Sequence, residues 1–136
     1  MYPEELCAPM RAELTSVGFN ELKTSNEVQN ALDKKGTTLV VVNSVCGCAA
    51  GNARPGVKMA IKNNIIPSYL VTVFAGQDAE ATDKVREYML PYPPSSPCIA
   101  LFKDGDVVHI LERHHIEGRP AEMIAENLVD AFNSYC

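Results

Sequence analysis

An α/β protein is predicted, with a mixed central sheet between two layers of helices and an antiparallel hairpin closing one edge. Three observations lead there. Segments with strand character alternate with segments of helical period along the whole chain. Residues 37–45, TTLVVVNSV, are β-branched and almost continuously apolar, the profile of a central strand covered on both faces. Near the end, Lys103-Asp104-Gly105-Asp106 separates two apolar runs, and an Asp-Gly pair between such runs is a strong hairpin signal.

The elements follow in order. Leu6, Met10, Leu14 and Val17 recur at helical spacing, and Gly18 follows as a stop. Pro9 suits this helix if it starts near Ala8 or is kinked in its first turn. Residues 19–22 are a short strand candidate. Thr24-Ser25-Asn26-Glu27 has the capping-box pattern, opening a helix with Val28, Ala31 and Leu32 on one face that ends before Gly36. After the central strand come Cys46-Gly47-Cys48, a run of small residues, and Arg54-Pro55-Gly56 leading into a helix over 57–62. Residues 69–75, YLVTVFA, form a second buried-type strand, and 82–90 a helix carrying Val85 and Met89. Residues 91–97, PYPPSSP, are a loop within the domain. The hairpin pairs 98–102 with 107–111. Pro120 opens a last helix with Ile124, Leu128, Ala131, Phe132 and Tyr135 on one face. No repeat or linker divides the chain, so residues 1–136 are expected to be one domain.

Composition narrows the function. The 136 residues are 46% hydrophobic with a net charge of −5, which fits a chain that buries its own core. Scattered basic residues on an acidic chain argue against nucleic-acid binding. The longest apolar run is too short to span a bilayer. The acidic start Met1-Tyr2-Pro3-Glu4-Glu5 has no leader pattern, so a cytoplasmic protein is expected. Five cysteines, an odd number at irregular spacing, do not look like a secreted disulfide framework. No glycine-rich phosphate fingerprint follows a strand, so no organic cofactor is expected.

Cys46 and Cys48 demand a separate account. They stand where a buried strand gives way to a helix, the end at which open α/β sheets place their chemistry. Unpaired N–H groups and the partial positive charge of a helix start favour thiolate over thiol. Gly47 lets the backbone bend tightly and opens the first sulfur to a partner. The pair can cycle between dithiol and disulfide. The one-residue spacing closes a smaller ring than Cys-X-X-Cys, which favours easy reduction and therefore disulfide shuffling or thiol capture over strong reduction. Two thiolates also suit soft metals, but zinc sites ordinarily need four ligands at wider spacing, and His109, His114 and His115 add little.

Several stretches resemble the bacilliredoxin family of the thioredoxin superfamily: Met1–Leu6, Arg11-Ala12-Glu13-Leu14, residues 41–49 around Cys-Gly-Cys, Gly51-Asn52-Ala53-Arg54-Pro55 and Ser95-Ser96-Pro97. The likeness extends over essentially the whole chain. It implies a three-layer thioredoxin-like fold, with the family's dithiol at Cys46 and Cys48 and its cis-proline at Pro97, facing the cysteines. It implies removal of bacillithiol from S-bacillithiolated client proteins, with bacillithiol as co-substrate. Cys46 would attack the mixed disulfide, and Cys48 or a second bacillithiol would resolve it; the reverse assignment of the two sulfurs stays open. A monomer or weak homodimer is expected, without nucleic-acid or membrane partners. The alternatives are a protein disulfide isomerase and a non-enzymatic soft-metal or iron–sulfur carrier.

Around the pair, Asn43 and Ser44 either orient the thiolate or satisfy loop backbone groups. Arg54 either binds the carboxylates on the malate part of bacillithiol, lowers a cysteine pKa, or is a surface arginine. Asn52 is expected to satisfy the turn before the helix. Cys98 is expected to pack as a small apolar residue, Cys7 and Cys136 to be incidental, and Met59 and Met89 to fill the core.

Overall fold

The computed structural model describes residues 1–136. The elements are α1 (Glu4–Thr15), β1 (Asn20–Glu21), α2 (Ser25–Leu32), β2 (Thr37–Asn43), a π-helical turn (Ala49–Ala53), α3 (Arg54–Ala60), β3 (Tyr69–Phe74), α4 (Ala79–Met89), β4 (Cys98–Lys103), β5 (Asp106–Leu111), α5 (Arg113–Ile116) and α6 (Ala121–Tyr135). The sheet order is β1-β3-β2-β4-β5. β2 pairs parallel with β3 and antiparallel with β4, and β5 completes the hairpin. The expected mixed sheet with its edge hairpin is therefore present. Asp104 (φ 52°) and Gly105 (φ 88°) supply the two left-handed residues that a tight hairpin turn requires.

Alternation along the central strands sends side chains into two cores. Leu39, Val41, Ile99 and Leu101 pack with Leu14, Val57, Ile124, Leu128 and Phe132, so α1, α3 and α6 cover one face. Val40, Val42, Val71, Val73, Ala100 and Phe102 pack with Val28, Leu32, Val85 and Met89, so α2 and α4 cover the other. All seven residues of β2 are buried, as a continuously apolar central strand must be. No helix is long and apolar enough to cross a membrane.

Several sequence expectations change. α1 starts at Glu4 and carries Pro9 inside it, rather than starting near Ala8. It buries Cys7, Arg11 and Leu14, and Leu6 is left exposed. The cause is Arg11, which the apolar pattern passes over. Its guanidinium pairs with Glu4 (2.8 Å), Glu21 (2.8 Å) and Asp78 (2.6 Å) and lies over the Phe74 ring. A buried charge is tolerated when it is paired in this way. The capping box at Thr24 forms: Glu27 N–H donates to Thr24 Oγ1 (3.2 Å) and Thr24 N–H to Glu27 Oε1 (3.1 Å). β2 stops at Asn43, two residues early, because Asn43 and Ser44 turn their polar groups to the loop that follows. α5 was not expected; four residues are too few to leave a periodic signal. Met59 is 41% exposed and does not fill the core, whereas Met89 does. Tyr135 lies at the solvent end of α6.

Candidate active site

The chemistry collects at one end of the sheet. β2 and β3 end there, β4 begins there, and β5 returns there, so the segments after Asn43 and Phe74, before Cys98 and after Leu111 meet. Helical winding starts at Gly47, directly after Cys46, and runs through the π-turn into α3. The predicted helix over 57–62 is thus the tail of a longer one. Widening to a π-turn inside a helix is frequent at functional sites.

Cys46 and Cys48 are joined as a disulfide, with Cα atoms 5.4 Å apart. The Cys48 N–H points at Cys46 Sγ (3.3 Å), and the Ala49 N–H bonds the Cys46 carbonyl (3.0 Å). Once the disulfide opens, the same Cys48 N–H stabilises a thiolate on Cys46. Cys46 lines a groove of about 450 Å³ with Tyr2, Ser44, Val45, Ala75, Gly76, Arg86, Ser96 and Arg113. Cys48 does not line it; it is half-buried and packs against the core that holds Val57 and Ile124. Ser96–Pro97 is a cis peptide bond, as the resemblance implied, and Ser96 lines the same groove as Cys46; Leu90–Pro91 is also cis.

Gly47 has ordinary helical-side geometry. Its φ is not left-handed, and a methyl group built there would meet nothing within 4 Å. The tight bend expected of it is not what the position needs; open space beside the sulfur is what it leaves.

Asn43 and Ser44 satisfy the loop backbone. Asn43 Oδ1 accepts from the Ser44 N–H (2.9 Å), its amide donates to the Met10 carbonyl (3.2 Å), and Ser44 Oγ accepts from the Cys46 N–H (3.0 Å). Arg54 sits beneath them, 1% exposed. It donates to Asn43 Oδ1 (2.9 Å), the Ser44 carbonyl (2.9 Å) and Glu13 Oε2 (2.9 Å). Arg54 is neither a surface arginine nor free to meet a carboxylate of a ligand. It clamps α1 and the end of β2 behind the cysteine loop. Asn52 donates to the Arg119 carbonyl, tying the π-turn to the segment before α6 rather than capping its own turn.

Of the other cysteines, Cys7 and Cys98 are buried. Cys98 is buried beside Val42, and desolvation pushes its thiol up to about 12; Glu112 adds to the rise and Arg86 opposes it. Burial also raises Cys7. Cys136 is exposed. After reduction, iodoacetamide at pH 8 is expected to label Cys46 and Cys136 in the folded protein, and Cys7 and Cys98 only once it unfolds. Peptide mass mapping reads this directly, and prompt native labelling of Cys98 would contradict its assignment as a packing residue.

Sequence reasoning missed Arg86 and Arg113. Arg113 could have been found, because it follows a strand whose hairpin topology returns it to the proline loop. Arg86 borders the apolar stripe Thr82, Val85 and Met89, and nothing in that pattern marks it. Glu112, His114 and His115 bring ligand-type atoms within 4.8 Å of one another, but neither Cys46 nor Cys48 is among them.

A model of the disulphide isomerase family matches residues 2–136. A bacilliredoxin of Cytophaga hutchinsonii is 61% identical over 94% of this chain and 95% of its own length. One from Salinibacter ruber is 54% identical over 99% of this chain and 81% of its own, and one from Halalkalibacterium halodurans 51% identical over 99% and 94%. This chain belongs to the bacilliredoxin family. Among solved structures, a putative oxidoreductase with a thioredoxin fold superposes with a TM-score of 0.67, at 15% identity, covering 87% of this chain and 96% of its own. Mitochondrial thioredoxin 3 from Saccharomyces cerevisiae gives 0.58 at 16% identity, covering 90% and 98%. The bacilliredoxin fold is thus the thioredoxin fold, and this bacilliredoxin is a thiol–disulfide oxidoreductase with its Cys-X-Cys pair at the helix start.

Proposed function

We propose that this chain removes bacillithiol from S-bacillithiolated client proteins in the cytoplasm. Cys46 is the nucleophile and Cys48 the resolving thiol. One observation carries the assignment of roles: Cys46 lines the groove, and Cys48 lies behind it against the core. The substrate class rests on the relatives named bacilliredoxin.

The Cys46 thiolate attacks the bacillithiol sulfur of the mixed disulfide. The client thiolate leaves and takes up a proton, and bacillithiol stays on Cys46 as a new disulfide. The Cys48 thiolate then attacks Cys46 Sγ, releasing bacillithiol as a thiol and closing the Cys46–Cys48 disulfide. The two electrons that free the client come from the dithiol, and a further low-molecular-weight thiol must restore it. A second bacillithiol can instead resolve the Cys46 adduct, leaving bacillithiol disulfide.

The test is a bacillithiolated client read by intact mass. Cys48→Ala should carry one bacillithiol on Cys46, and Cys46→Ala should release no client thiol. If both variants match the wild type, Cys46 and Cys48 are not the active pair. Disulfide isomerisation is the second reading, favoured by the description of the family model. It predicts rescue of a scrambled disulfide substrate with no bacillithiol present.

A further inference from the structure

The groove in front of Cys46 has a one-signed lining. Arg86 and Arg113 both border it, and none of its other lining residues is acidic, although the chain carries a net charge of −5. Arg86 comes from the last turn of α4. It has no ion-pair partner, and its Nε is buried without a hydrogen-bond partner. Asp83 and Glu87 line a neighbouring hollow with Arg86 but do not pair with it. Arg113 reaches in from the start of α5. Its Nη1 donates to the Ser96 carbonyl (3.1 Å), and its backbone N–H to Ser95 Oγ (2.7 Å), fastening it to the proline loop. Its ion pair with Glu117 joins two half-exposed side chains, so it exchanges at little cost. An unpaired Arg86 beside an Arg113 whose one ion pair is half-exposed leaves the groove with positive charge to offer an anion.

We propose that Arg86 and Arg113 form an anion seat beside Cys46 that binds the carboxylates of the small thiol in a mixed disulfide. Its sulfur then faces Cys46 while the client protein lies outside the groove. This rests on the thiol-removal reading, and assigns to these two arginines the carboxylate contact that buried Arg54 cannot make. Two planar forks match carboxylates in a way that a lysine point charge does not.

The test uses one client protein carrying either mercaptosuccinate, with two carboxylates, or mercaptoethanol, with none. Each kcat/KM is divided by the rate of the same mixed disulfide with free dithiothreitol, which removes intrinsic sulfur reactivity. The wild type should favour mercaptosuccinate by about tenfold at low salt, and less at high salt. Arg86→Gln and Arg113→Gln should each reduce that ratio at least threefold, and the double variant should bring it near one. Lys103→Gln removes a charge from the opposite end of β4 and should keep the ratio. A wild-type ratio near one, or a ratio unmoved in both arginine variants, overturns the seat. A bacillithiolated client separates the two claims. If bacillithiol is not removed while the mercaptosuccinate preference holds, the proposed function fails and the seat stands. If bacillithiol is removed with a ratio near one, the seat fails and the proposed function stands.

Discussion

Arg54→Met is expected to lower the unfolding free energy by about 3 kcal/mol, the low end for removing one partner of a buried ion pair. The low end applies because Glu13, the carboxylate partner, is 36% exposed and can return to water. The Ser44 carbonyl has no such recourse; Ser44 is buried and loses its charged donor. Three kcal/mol is a large share of the roughly 5–15 kcal/mol that holds a domain of this size. Urea unfolding should show a lower midpoint at unchanged slope. Glu13→Gln should cost less than about 1 kcal/mol, since it removes only the half-exposed side of the pair. The clamp reading fails if Arg54→Met unfolds at the wild-type midpoint. A folded variant with a raised KM for a carboxylate-bearing substrate would instead restore Arg54 to substrate binding.

Gly56→Ala is the second large effect, and two opposing magnitudes decide its sign. Alanine in a helix interior is favoured over glycine by about 1 kcal/mol. At this position the added methyl carbon would lie 2.7 Å from Ile124 Cγ2, 2.9 Å from Ile124 Cβ and 3.1 Å from the Ala121 carbonyl oxygen. Neither a Cβ atom nor a backbone oxygen can swing aside, so α3 and α6 must separate. Overpacking of this kind costs about 1–3 kcal/mol and outweighs the propensity gain. A net loss of about 1–2 kcal/mol is expected in urea, with weaker thiol exchange, because α3 continues the helix that starts at Gly47. Gly47→Ala is the matched control: its methyl group enters open space, and stability should not fall. A Gly56→Ala protein more stable than the wild type would show that α6 yields more easily than the shared core of Val57 on α3 and Ile124 on α6 implies.

The sheet was legible because β2, β3 and the hairpin carry composition that few other structures tolerate. The β-branched run could only be buried, and Asp104-Gly105 could only turn tightly. Cys46 and Cys48 were legible for a different reason, since two thiols one residue apart at a strand-to-helix junction are a chemical signal in themselves. Helix faces containing charge were not legible. Arg11 occupies a buried position in α1 because Glu4, Glu21 and Asp78 converge on it from three segments, and no local pattern records that.

The sequence by itself determined the capping box and the Cys-Gly-Cys pair at a strand-to-helix junction, whose cause lies within a few neighbouring residues, and the alternation of strands and helices that sets the fold class. The tertiary structure alone decided what the arginines do. Arg54 became a buried clamp because β2, α1 and the cysteine loop supply its acceptors from distant positions. Arg86 and Arg113 came to line one groove with Cys46 because the last turn of α4 and the segment after β5 meet the cysteine loop in space. A charge takes its role from the oxygens and the water within a few ångströms, and those are set by packing rather than by spacing along the chain.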